Sequence, residues 1–233
     1  INVGAGTYTT GQIVINKNLT IVGDSSNKPI IRPTGDFLVS NAGGSWMLVN
    51  PGFSFNLSNV VIDGNTSFIR YALRSHGNTT INNVDFRRIW GSTSGIGSPY
   101  TGIAVSSFGG TISGVGSAGF DSHGGAGGPA SHLIVTNSTF EQIGRIGIIV
   151  KGTGSTATIT DNTYIGKGNG DFLDYAFEFG AGGSGTISGN TISGNRGVAA
   201  IDGSTSAGIL VTEYYGSGTN ATITSNTFFN NSA

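Results

Sequence analysis

The sequence predicts an all-β protein, a single-stranded parallel β-helix of about eight to nine stacked coils. Three observations predict it. A short motif of aliphatic, polar and aromatic positions recurs along the chain, a second alternating strand follows most copies, and Gly- or Asn-rich turns separate the two. Composition agrees with a strand-and-turn chain. Only 10% of the 233 residues are charged, against about 25% in ordinary globular proteins. Glycine takes 41 positions, yet 36% of the chain is hydrophobic and 13 Phe and 7 Tyr fall in short runs. A disordered chain lacks such residues, so a core exists.

The motif stands at residues 57–62, 81–86, 135–140, 159–164, 187–192 and 223–228, with a degenerate copy at 112–115. Counting that copy, successive motifs start 23 to 36 residues apart, which fits one coil per repeat with loops of variable length. A single coil cannot bury its inward face, and stacking neighbours does so. The second strand reads as 72–75, 102–105, 147–150, 176–179 and 208–211. Alternation points Leu73, Ile103, Ile148, Phe177 and Ile209 inward, and Arg74, Ala104, Ile149, Glu178 and Leu210 outward. That outward column is apolar for an exposed sheet, which predicts cover by a loop or by another chain.

The polar position of the motif holds Asn59, Asn83 and Asn137, with Asn162, Asn190 and Asn226 beside the equivalent position in later copies. Asparagine tolerates positive φ and bonds nearby backbone, so these residues suit left-handed corners stacked into a polar ladder.

The opening residues 1–3, Gly6-Thr-Tyr8, 13–15 and Lys17-Asn-Leu-Thr-Ile-Val-Gly23 resemble the first coil of the pectate-lyase-like superfamily of parallel β-helices. With the generic repeat, the resemblance spans nearly the whole chain. It implies a right-handed coil and, among the superfamily's enzymes, polysaccharide lyases, hydrolases and epimerases. A hydrolase needs two or three neighbouring carboxylates. The polygalacturonase-like Asn-Thr-Asp and Asp-pair motifs are missing, although Ser-His-Gly occurs at 75–77 and 122–124.

A lyase needs a basic residue to abstract a proton and a cation to neutralise the substrate carboxylate. Lys151 as base, His123 beside it, and Asp121 and Glu178 as calcium ligands form the best such set, provided residues 119–123 occupy a rung. Rungs lie about 4.8 Å apart. The plainer reading, scattered surface charges on a sparsely charged solenoid, is the favoured one. The Gly-rich segment 116–131 and the stretch 171–174 are further loop candidates for binding or calcium. Trp90, Tyr100, Tyr214 and Tyr215 are the aromatics available to a carbohydrate-binding surface.

Net charge is −1 with no basic cluster, which excludes binding through many phosphates. No apolar run reaches the roughly 18 residues of a membrane span, and the absence of cysteine removes disulfides and thiolate metal sites. Sequons stand at Asn18, Asn56, Asn65, Asn78, Asn137, Asn220 and Asn230, a small excess over chance and a possible glycosylation set.

Low charge and abundant Asn, Ser and Thr point to an extracellular or cell-surface location. The chain reads as one domain, residues 1–233, cut from a longer secreted precursor, with a last coil left incomplete. The expected role is structural, adhesive or filament-forming, through self-association or contact with neighbouring β-helix segments, and needs no cofactor. The alternatives are a calcium-using polysaccharide lyase and a carbohydrate-binding β-helix.

Overall fold

The computed structural model describes residues 1–38, 45–91, 102–109 and 129–231. Every strand pairing in its three sheets is parallel, and the chain winds through them in turn as a right-handed β-helix of eight coils. Sheets A and B have eight strands each and sheet C has seven. Parallel strands joined by crossovers take the right-handed path almost without exception.

The recurring motif is a corner. In the copy at 81–86, Ile81 is the last inward residue of the sheet A strand Asn78–Asn82, and Phe86 lies in the sheet B strand Asp85–Ile89. Asn83 turns the chain between them at φ 55°. Stacking repeats this geometry. Leu57, Ile81, Val135, Ile159, Ile187 and Ile223 follow one another through sheet A, and Ile62, Phe86, Phe140, Tyr164, Ile192 and Phe228 through sheet B. Phe86 and Phe140 stack with centroids 5.2 Å apart. In the last two-stranded coil Ile223 and Phe228 are 43% and 48% exposed, where their counterparts are buried.

The corner asparagines divide into two columns. Asn59, Asn83 and Asn137 do occupy the left-handed region, joined by Asp161, Gly189 and Ser225. Asn162, Asn190 and Asn226 instead stand one residue later and point inward as a ladder. The Asn190 carboxamide oxygen accepts the Asn162 N–H, and its Nδ2 donates to the carbonyls of Ile159 and Ser188. The Asn226 oxygen accepts the Asn190 N–H in turn. Ser138 continues the column, accepting from Val84 N–H, and a shorter ladder of Asn195 and Asn231 marks the next corner.

One alignment differs from the expectation, and one lies outside the described residues. The sheet A strand Asn78–Asn82 pairs directly with His132–Thr136, and the degenerate copy at 112–115 is not among the described residues. Residues 110–128, with Asp121 and His123, lie outside the described residues. In sheet C, Val105 rather than Ile103 aligns with Leu73 and Ile148, and Ser106 rather than Ala104 aligns with Arg74 and Ile149. Ile103 pairs instead with Tyr71 and Ile146. Gly102, at φ 70°, precedes the strand Ile103–Phe108, whose register runs two residues later than the alternation implied.

Asn190→Ala removes buried partners of both adjoining rungs and should lower unfolding free energy by about 2–4 kcal/mol. Asn137→Ala at an exposed left-handed corner should cost about 1 kcal/mol. Urea titration of the two variants checks the difference.

Candidate functional site

Of the predicted apolar column, Ile149 and Leu210 lie on the outward face of sheet C, which is covered within the chain, whereas Ala104 belongs to the inner core. Tyr71, Ile103, Phe108, Ile146, Ile149 and Tyr175 form a second hydrophobic cluster, against which Leu173, Ala207, Leu210 and Tyr215 pack. Arg74 is wholly buried in it, its guanidinium 5.2 Å from the Tyr71 ring centroid and 4.9 Å from that of Phe108. Arg74 Nε donates to His76 Nε2, which makes Nδ1 the protonated nitrogen of His76, donating to the Phe108 carbonyl.

Lys151 and Glu178 meet inside this layer. Their Nζ and Oε1 atoms are 3.0 Å apart, with side chains 0% and 4% exposed. The pair is diagonal: Ile149 aligns with Glu178, and Lys151 with Gly180. Gly180 leaves the space they use, since a Cβ there would lie 3.3 Å from Lys151 Cε and 3.4 Å from Tyr215 Cδ2. The Tyr215 ring caps the ammonium at 3.5 Å from its centroid. Burial lowers the Lys151 pKa to about 8, against the opposing pull of Glu178 and with help from Arg145. Burial, reinforced by the Glu178 charge, pushes the Tyr215 hydroxyl well above its usual value.

Of the predicted constellation, the structure therefore joins Lys151 and Glu178, while Asp121 and His123 lie outside the described residues. The stretch 171–174 is committed elsewhere. Asp174 is buried, accepts from the Tyr164 hydroxyl and Lys167 N–H, and faces Lys167 Nζ at 3.7 Å. Asp171 accepts from Ala200 N–H. Among the described residues no three His, Asp or Glu side chains converge as metal ligands. Tyr214 is 61% exposed and meets Tyr215 edge-on at 4.9 Å, whereas Trp90 is half-buried and Tyr100 is outside the described residues. The sequons at Asn18, Asn56, Asn78, Asn137, Asn220 and Asn230 have exposed asparagines, and Asn65 is half-buried.

A charged cluster on sheet B was missed. Asp63 is fully buried, and Arg32, Arg87 and Arg88 all donate to it, with Arg88 Nε at 2.7 Å and the Asn65 N–H at 3.0 Å. Burial would raise its pKa, but the Arg88 hydrogen bond, the Asn65 N–H and the charges of Arg87 and Arg88 hold it at about 2. Asp63, Arg87 and Glu141 each follow the last residue of a motif copy and align rung on rung, and Arg32 lies one rung before Asp63. That alternation of sign at one motif offset was the signal.

Comparison with known proteins finds no family model, curated relative or solved structure that matches the chain.

Because folding depresses Asp63 from 3.8 to about 2, its stabilisation is complete above the unfolded value. It is lost as pH falls from about 4 through 2 and amounts to on the order of 2 kcal/mol. Unfolding curves between pH 5 and pH 2 should show this loss in the parent chain, and Asp63→Asn should remove that part of the acid dependence.

Proposed function

We propose that the chain is a non-catalytic β-helix with a structural, adhesive or filament-forming role at the cell surface or outside the cell. The observation that carries this reading is the Lys151–Glu178 pair. The two described residues that a lyase would use as base and metal ligand are ion-paired with each other beneath Tyr215, within an apolar layer. A base for a polymeric substrate must reach the proton it abstracts, and Lys151 presents no surface. Self-association, or contact with neighbouring β-helix segments, is the partnership that goes with this role.

One observation favours a second reading, an enzyme of the pectate-lyase-like superfamily. A lysine held near pH 8 by burial and paired with a carboxylate has the signature of a functional group. Calcium and a polyuronate would then be its cofactor and substrate.

Incubation of the chain with polygalacturonate and alginate in millimolar calcium separates the two. No unsaturated oligosaccharide should accumulate by ultraviolet absorbance, from the parent chain or from Lys151→Met. Unsaturated product made by the parent and lost in a folded Lys151→Met would establish the lyase instead. Electron microscopy of the purified chain should show ordered assemblies, and single particles at every concentration would remove the filament form of the proposal.

A further inference from the structure

The outer face of sheet A carries a chemistry that neither reading uses. Seven strands, from Leu19–Gly23 to Asn220–Thr224, follow one another with their residues in direct register. Thr158, Thr186 and Thr222 succeed one another in the central outward row, and Thr160, Ser188 and Thr224 in the row beside it. None of these six hydroxyls bonds to another described residue. The backbone therefore holds a two-dimensional array of hydroxyls, about 4.8 Å apart across rungs and about 6.6 Å apart along a strand.

What the face lacks narrows its partner. No Asp, Glu, Lys or Arg lies in these seven strands, and Phe55, their one aromatic residue, is buried on the inner side. Charged polymers and membranes find no counter-charge here, and sugar rings find nothing to stack on. The one titratable side chain, His132, is bonded to Thr156. An isolated hydroxyl that exchanges one water for another gains almost nothing. An array gains if the partner is itself a fixed lattice of hydrogen-bonding groups at matching spacing, because threonine is stiff at χ1 and loses little freedom on contact. The oxygens on a prism face of ice form such a lattice, with a short repeat close to the rung spacing of the array and a longer repeat somewhat beyond its spacing along the strand.

We propose that the outer face of sheet A adsorbs to ice through its threonine rows, with the exposed Ile134 and the threonine methyls filling the gaps between water oxygens. The proposal goes beyond the structural reading and is independent of the role of Lys151, which lies on another sheet.

Nanolitre osmometry on the purified chain tests it, with crystal habit recorded in the same drop. The parent chain should facet growing ice and open a gap between melting and freezing. Thr158→Tyr combined with Thr186→Tyr, at solvent-facing positions, should shrink that gap at least five-fold with an unchanged circular dichroism spectrum. Thr163→Tyr combined with Thr191→Tyr, on the outer row of sheet B, should leave it intact. A labelled parent chain should also partition into a slowly grown ice hemisphere, a readout that needs no variant. Round crystals with no gap would overturn the proposal, as would equal loss in both double variants. Retention on microcrystalline cellulose or chitin without any effect on ice would reassign the face to a polysaccharide and overturn it too.

Discussion

Parallel strands one rung apart place like positions of successive coils about 4.8 Å from one another, so each inward side chain packs mainly against its own counterparts. A polar group enters such a column only if the next rung completes its hydrogen bonds, because a buried orphan costs about 1–3 kcal/mol. The Asn162–Asn190–Asn226 ladder meets that condition by passing a backbone N–H to the side-chain oxygen of the following coil at each step. The aromatic run Phe86–Phe140–Tyr164 meets its apolar equivalent, with ring centroids 5.2 and 6.5 Å apart. Coil length can vary freely between corners, since only the stacked positions must agree.

The same rule distributes charge among three unlike faces. On sheet B, Arg32, Asp63, Arg87 and Glu141 alternate in sign from rung to rung, so neighbouring charges attract where a column of like charges would repel. On sheet C, charges are drawn inward: Arg74 lies between two aromatic rings, and Lys151 and Glu178 neutralise each other under Tyr215. Among the described residues, the strands of sheet A carry no acidic or basic side chain except His132. A chain with 11 Lys and Arg and 12 Asp and Glu residues thus keeps Asp, Glu, Lys and Arg out of the described strands of one long face.

The solenoid was legible because its repeat is local. The copy at 81–86 contains the end of one strand, a left-handed corner and the start of the next, and that pattern alone implies the winding. Asn162 and Asn190 were expected among the left-handed corners, because spacing alone does not separate the turning residue from the one that follows and points inward. The register of the strand Ile103–Phe108 was missed by two residues, because Ala104 and Val105 continue the same apolar run and alternation cannot anchor it. Proximity of Lys151 and Glu178 followed from rung counting, whereas their burial did not, since the cover comes from Tyr215 and Leu173 in loops with no fixed place in the repeat.

The claim on which the functional reading turns is that this pair belongs to a buried packing layer and is not an accessible reactive group. A double-mutant cycle on stability tests it most directly. Lys151→Met alone, which strands a buried carboxylate, should cost about 3–5 kcal/mol. Lys151→Met with Glu178→Leu should recover most of that loss, because apolar side chains of similar size fit the surrounding cluster. A single variant as stable as the parent, with no coupling to Glu178→Leu, would contradict the account and return Lys151 to the solvent as a usable base.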